Sequence, residues 1–340
     1  MTDPLASPRS LARPSLDSVG HVVAAFDCGT NTIKLLISRL DPETGEETEL
    51  VRDMRMVRLG QGVDRTGRLD PEAIARTFAA IDEFKATMAG YPIERMRFCA
   101  TSASRDASNA DEFVAGVRER LGILPEVVSG AEEAQLSYDG ATRSLGVVDG
   151  QVEGPIVVID LGGGSTELIV GDAHGHVTAG HSLDIGSVRI HERLLAGDPP
   201  SAAEIAEAAR VIDAALDTLP AFGVDISAAR TVVGVAGTIT TIAAAVLDLP
   251  TYQREAIHHA VLSRESVLDT CDRLLGMSVA ERRALGFLHP GRADVIGAGA
   301  LILDRVLRRT DRPELLVSES DILDGIAWSM TEPSEARASD

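Results

Sequence analysis

Two stretches of this chain repeat one pattern, and that pattern limits the folds open to it. In each, a short apolar run ends at an aspartate, passes through a turn of glycine and hydroxyl residues, and resumes as a second apolar run. The stretches are VVAAFDCGTNTIKLLI (22–37) and IVVIDLGGGSTELIVG (156–171), with Asp27 and Asp160 lying 133 positions apart. Apolar runs this short, punctuated by glycine, read as buried strands joined by tight turns. Their recurrence is a weak internal duplication. It predicts an α/β fold in two domains of similar design, facing one another across a cleft.

The intervening sequence fills in both halves. Asp70-Pro71-Glu72 starts a helix with proline at the first helical position, and apolar residues at 74, 78, 81, 84 and 88 carry it to Gly90. MRFCAT (96–101) is a buried strand, 108–121 a helix, 126–129 a strand, and a helix runs from Gly130 through Leu145. After a glycine-rich linker at 146–154, strands are predicted at 176–183, 231–237 and 314–317. Helices are predicted at 201–219, from Thr238, at 263–275, 278–286 and 291–308, and near 320–330. Residues 1–20 read as a disordered tail, 21–135 as the first domain and 136–318 as the second.

Composition narrows the function. Three cysteines are too few and too scattered for a disulfide framework or a CxxC zinc site. The Pro/Ser-rich start has no apolar signal core, and no run reaches the roughly 18–20 apolar residues of a membrane span. The chain therefore reads as reduced and cytoplasmic. A net charge of −20 argues against a duplex nucleic-acid partner or a membrane surface, both of which favour basic faces. The charge is uneven: residues 50–125 hold 12 basic and 11 acidic residues, whereas 126–340 hold 16 and 33. An anionic partner is therefore to be sought near the first of these. Thirty arginines against two lysines resemble a coding bias, so arginine alone is no sign of phosphate recognition, and 3% aromatics exclude a base-stacking platform.

The turn from Asp160 to Glu167 carries the most chemistry. Gly162, Gly163 and Gly164 let backbone amides approach an anion, and Ser165 and Thr166 add hydroxyls. Asp160 and Glu167 would repel a phosphate unless a divalent cation lay between, which suggests a Mg²⁺–phosphate site; the plainer reading is a glycine hairpin with two solvated acids. Asp27, Gly29, Thr30 and Asn31 offer a matching turn. Lys34 is either a phosphate ligand or a solvated edge charge. Glu132 and Glu133 open the helix after Gly130, where acids suit the helix dipole; in a cleft, one of them can serve as a general base. Arg105 follows a run of hydroxyls at the end of a strand and is either a phosphate fork or a surface residue. The pair His258-His259 is not placed to share a metal, and GxxxxGK[ST], HExxH and GxSxG patterns are absent.

Six ordered segments, AAFDCGTNTIKLLI, ATSASRDASN, VVSGAEEAQLSY, IVVIDLGGGSTELIVG, SLDIGSVRIHERL and GVAGTITTIAA, resemble the exopolyphosphatase/guanosine pentaphosphate phosphohydrolase family of the actin-like ATPase superfamily. The resemblance covers about 22–330 and is nearest to the short actinobacterial exopolyphosphatases, without the helical C-terminal domains of longer members. It implies two actin-like (ribonuclease H-like) domains, with the helix at about 319–330 packing back on the first. It also implies metal-dependent release of terminal orthophosphate by water, from inorganic polyphosphate or guanosine pentaphosphate (pppGpp), by a homodimer using Mg²⁺ or Mn²⁺. By resemblance Glu133 is the base, Asp160 and Glu167 serve the metal, and Gly29–Asn31, Gly162–Ser165 and Arg105 bind phosphate. The resemblance also implies that Arg292 matches a basic residue along the polymer path, in a stretch (GRADVIGAGALIL) that aligns loosely with the family. A superfamily kinase or a non-catalytic phosphate sensor is the remaining alternative.

Overall fold

The computed structural model describes residues 20–147 and 152–331, so all of the expected tail but Gly20, and residues 148–151 of the linker, lie outside the described residues. Its first sheet contains β1 (His21–Cys28), β2 (Thr32–Leu40), β3 (Glu47–Met56), β4 (Arg95–Ala100) and β5 (Glu126–Val127) in the order β3-β2-β1-β4-β5. The second contains β6 (Ile156–Leu161), β7 (Thr166–Gly171), β8 (Val177–Leu183), β9 (Thr231–Val235), β10 (Val261–Ser263) and β11 (Glu314–Val317) in the order β10-β11-β9-β6-β7-β8. Read outward from β1 and β6, the sheets match strand for strand. Each has an antiparallel meander on one side and parallel neighbours on the other, and β10 is an added edge in the second. The duplication that was weak in sequence is plain in topology.

Period-2 alternation divides each sheet into two faces. In the first sheet, Val22, Ala24, Phe26, Ile33, Leu35 and Ile37 pack under α1 (Pro71–Met88) and α2 (Ala110–Leu121). Asp70 starts α1 as expected, its side chain accepting from the amides of Glu72 and Ala73. The opposite face belongs to helices that cross between the halves. α3 (Gly130–Arg143) lays Ala134, Tyr138 and Ala141 on Ile156, Val158 and Ile169 of the second sheet. The outer face of that sheet is covered by α5 (Ala202–Leu216), α6 (Ala236–Val246), α7 (Arg264–Gly276) and α8 (Ile296–Leu307), while α4 (Ser187–Leu194) stands beside the glycine turn. Last, α9 (Ile322–Ser329) returns to the first sheet and buries Leu323, Ile326 and Trp328 against Val23, Ala25 and Leu36.

The expected boundary at 135/136 falls inside α3, which is one continuous helix on the second sheet. The helix expected to reach Leu145 ends at Arg143 and tightens into a 3₁₀ turn over Ser144–Val147. Four-residue helical turns at Val63–Thr66 and Ser102–Arg105 have no counterpart in the sequence reading, being too short for a periodic signal. Among the described residues, no helix is long and apolar enough to cross a membrane. All three cysteines are buried and free.

α3 and α9 cross at glycines. A Cβ on Gly140 would lie 1.9 Å from the Asp321 carbonyl oxygen, and one on Gly325 would lie 1.9 Å from that of Leu136. Backbone meets backbone there, so neither helix can yield cheaply. Gly140→Ala and Gly325→Ala are each expected to cost roughly 3 kcal/mol or more in thermal or urea unfolding, at or beyond the top of the usual overpacking range. Gly276→Ala, at a site with open space, is expected to leave stability within about 0.5 kcal/mol of wild type.

Candidate active site

The hairpin registers place the key side chains. Asp27 lies opposite Lys34 on β1/β2, and Asp160 lies opposite Glu167 on β6/β7. All four continue the period-2 series of Val23, Ala25, Leu36, Ile156, Val158 and Ile169 under α9 and α3, so they point to the inner face between the halves. The corresponding pairs differ in sign: the first hairpin matches an acid with a base, whereas the second sets two carboxylates directly across from one another.

The turns at the tips are held from behind. The amides of Ser187 and Val188, at the start of α4, donate to the carbonyls of Gly162 (3.0 Å) and Gly163 (2.9 Å). Arg189 Nε donates to the carbonyl of Gly164 at 2.8 Å. Across a trans peptide the carbonyl and the following N–H point opposite ways. The N–H groups of Gly163, Gly164 and Ser165 therefore turn away from α4, and among the described residues none has a protein acceptor. The first turn is built alike: Gly60 N–H holds the Thr30 carbonyl (2.8 Å), and the amides of Val57 and Arg58 hold that of Asn31 (3.1 and 2.9 Å). Consecutive free amides of this kind form an anion-binding concavity.

The two turns also touch. A Cβ on Gly164 would lie 2.4 Å from Thr30 Oγ1 and 2.5 Å from Ser102 Oγ, and one on Gly163 would lie 3.2–3.3 Å from Thr30, Asn31 and Val188. Thr30 and Ser102 bond to each other at 2.9 Å beneath this contact.

One cleft gathers Asp27, Gly29, Thr30, Asn31, Lys34, Glu133, Asp160, Gly162, Gly163, Gly164, Ser165, Glu167 and Arg292 from the sequence-derived set. Arg105 stands behind it, donating to Glu133 Oε2 (3.1 Å) and to the Val128 carbonyl (2.9 Å). Glu132 is not brought in: helical geometry turns it outward, where it pairs with Arg97 at 2.6 Å. Lys34 is not a solvated edge charge. It is partly buried between Asp27 (3.0 Å) and Asp321 (2.7 Å), which hold its ammonium far above its ordinary pKa against the effect of desolvation. Arg292 is half-buried in the cleft floor, donating to the Gly237 carbonyl (3.1 Å) and Thr241 Oγ1 (3.3 Å), and desolvation lowers its pKa. Sequence reasoning missed Ser137, Ser182, Arg189 and Asp321. Only Ser137 left a signal, four residues after Glu133 and so on the same helix face.

The acids are buried and crowded. Burial pushes Glu133 up to about 7, opposed by Arg105 and reinforced by Asp160 and Asp27. Burial likewise lifts Asp160 to about 6, against the hydrogen bond from Ser137 (2.5 Å). Glu167 is raised further by burial together with Glu133 and Asp160. Ser182 donates to Glu167 at 2.7 Å. Asp27 and Glu133 thus have cationic partners, while among the described residues Asp160 and Glu167 have only hydroxyl donors within hydrogen-bonding reach. Two buried carboxylates without an ion-pair partner form a hard-oxygen donor pair. No three acidic, His or Cys side chains of the described residues form a ready metal cage. That donor set suits Mg²⁺, which commonly takes one or two carboxylates and completes its shell with water and phosphate oxygens.

A second cavity of about 480 Å³ adjoins the cleft and shares Lys34, Ala236, Gly237, Arg292 and Asp321 with it or its rim. Met54, Tyr252, Phe287, Leu288 and Pro290 give it a largely apolar wall.

The pattern that defines the Ppx/GppA phosphatase family matches residues 37–333. This chain belongs to that family. It is 46% identical over 323 residues to exopolyphosphatase 2 of Mycobacterium tuberculosis, covering 91% of this chain and 98% of that protein. A solved exopolyphosphatase-like protein is 41% identical, covers 92% of this chain and 98% of its own, and superposes with a TM-score of 0.87. The Ppx/GppA member from Aquifex aeolicus is 29% identical, with coverages of 92% and 97% and a TM-score of 0.76.

The raised carboxyls fix the sign of a stability effect. A folded chain whose acids titrate above their ordinary values of 3.8 and 4.5 keeps protons that the unfolded chain releases. Its stability therefore falls as pH rises from about 4 through about 7. Glu167→Gln, which removes a buried charge at constant volume, is expected to raise the melting temperature of the metal-free protein by a few degrees at pH 8. The gain should shrink toward pH 5. A variant less stable than wild type at pH 8 would contradict the crowding.

Proposed function

We propose that this family member is an exopolyphosphatase, hydrolysing the terminal phosphate of inorganic polyphosphate and releasing orthophosphate. The observation that carries the reading is the convergence of two amide-lined turns on a cleft that also holds a buried glutamate with a pKa near 7. The terminal phosphate lies on the free amides of the two turns, with the Thr30 and Ser165 hydroxyls beside it. Asp160 and Glu167 hold a divalent ion, Mg²⁺ or Mn²⁺. Bound there, such an ion supplies neutralisation of phosphate charge, which phosphoryl transfer needs more than covalent help.

Glu133 orients a water and takes its proton as the water oxygen bonds to the terminal phosphorus. The bond from phosphorus to the bridging oxygen breaks, and the shortened chain leaves with that oxygen's electron pair. Arg105 fixes the Glu133 carboxylate in place without withdrawing it into solvent. A base with a pKa near 7 is matched to neutral pH, where about half of it is ionised and it accepts a proton readily. No side-chain nucleophile enters the scheme. The reading includes a cytoplasmic homodimer, as the family resemblance implies, with neither membrane nor duplex nucleic acid as partner.

Purified protein with Mg²⁺ is expected to release orthophosphate from polyphosphate, and Glu133→Gln to lower kcat by at least about a hundredfold with folding intact. The wild-type kcat/KM should climb with pH through about 7 to a plateau, and this limb should vanish in the variant. Undiminished release by Glu133→Gln would overturn the assignment of the base.

One observation supports a second reading. The apolar cavity beside the cleft suits the uncharged guanine base of guanosine pentaphosphate better than it suits a bare polyanion. Side-by-side kcat/KM values on the two substrates separate them. With a net charge of −20 the chain should grip long polymers weakly, so short polyphosphate is the expected preference. A clear preference for long chains at physiological salt would count against this.

A further inference from the structure

Arg189 has no part in the scheme above, yet it touches the phosphate turn and the opposite half of the molecule at once. Its Nε donates to the Gly164 carbonyl at 2.8 Å. Nη1 reaches Asp64 at 2.7 Å and Nη2 reaches Asp106 at 2.5 Å, with Asp184 3.6 Å away. Only 12% of the side chain is exposed. Asp64 lies in the helical turn Val63–Thr66, and Asp106 caps the turn Ser102–Arg105. The latter turn carries both Ser102, which packs on Gly164, and Arg105, which holds Glu133.

We propose that Arg189 is a positioning residue for phosphate binding, an inference that rests on the exopolyphosphatase reading. Its bond to the Gly164 carbonyl sets the peptide plane, and thereby aims the Ser165 N–H into the cleft. Its fork to Asp64 and Asp106 keeps the guanidinium over that carbonyl, the two carboxylates sharing the task so that neither alone is decisive. A surface ion bridge would need neither the burial nor the bond to a turn carbonyl, and would be worth little. Lysine cannot replace it, since one ammonium lacks the planar fork that serves three acceptors at fixed angles.

The test combines calorimetric titration of inorganic phosphate, in MgCl₂, with polyphosphate kinetics well below each variant's melting temperature. For Arg189→Met, the phosphate Kd and the polyphosphate KM should both rise about tenfold, the effect of one charge-assisted hydrogen bond. The fall in kcat should be smaller. Arg189→Lys should recover less than half of the lost affinity. Asp64→Asn, which weakens the bridge but keeps the bond to Gly164, should stay within about twofold of wild type in phosphate Kd. Wild-type phosphate affinity in Arg189→Met would overturn the inference. So would a loss in Asp64→Asn equal to that in Arg189→Met, because the bridge rather than the carbonyl would then be acting. A wild-type protein that binds phosphate but releases none from polyphosphate would instead fail the functional reading, and the binding comparison would still decide the role of Arg189.

Discussion

The cleft depends on two hairpin turns meeting closely because one of them brings only glycine backbone to the contact. Gly163 and Gly164 lie against Thr30, Asn31 and Ser102 so closely that a single methyl group on Gly164 would displace the Thr30–Ser102 pair. Each turn has its carbonyls tied from behind, by α4 in one half and by residues 57–60 in the other. The amides left over face the space between the halves. The crossing of α3 and α9 at Gly140 and Gly325 sets how far apart those halves stand. Substitution at the crossing is thus also a perturbation of the phosphate site, several residues away along each helix.

The same arrangement answers a difficulty posed by composition. A chain with a net charge of −20 is a poor host for a polyanion, and its cleft adds four buried carboxylates: Asp27, Glu133, Asp160 and Glu167. Two of the four are matched by partly buried cations, Lys34 and Arg105, and the other two stand opposite one another with hydroxyl partners only. Burying unpaired carboxylates is costly, and proteins retain such groups where a ligand or proton compensates them. The negative charge at the site is therefore a receptor for a cation as much as a barrier to phosphate. Peptide dipoles, which carry no net charge and do not enter a count of acids and bases, supply attraction for the anion.

Much of this was legible in the sequence. The paired strand–turn–strand segments pointed to the doubled α/β design, because buried strands and glycine turns are local features written in the order of a few neighbouring residues. Asp27, Asp160 and Glu167 were visible at strand ends for the same reason. Glu133 was not decided by spacing, since an acid in a first helical turn has an ordinary explanation; only the family resemblance singled it out over Glu132. Lys34 was ambiguous because its partner Asp321 lies 287 residues away. Arg189 and the contact of Gly140 with Gly325 were invisible for that reason too. They are contacts between distant segments, and neither leaves a periodicity or a motif. The short turn Ser102–Arg105, which places a hydroxyl on one glycine turn and a guanidinium on the base, is below the length at which helical spacing can be read.

The claim that the two turns form one phosphate site is tested most directly by Gly164→Val. Its side chain would enter the contact with Thr30 and Ser102, yet the substitution leaves every acid, Lys34, Arg105 and Arg292 in place. Orthophosphate release from polyphosphate, measured together with circular dichroism and thermal unfolding, gives the answer. The prediction is a folded protein whose kcat/KM is at least about a hundredfold lower, from loss of aligned amide donors. A folded variant with wild-type kcat/KM would contradict it, and would mean that phosphate is held somewhere other than between the turns.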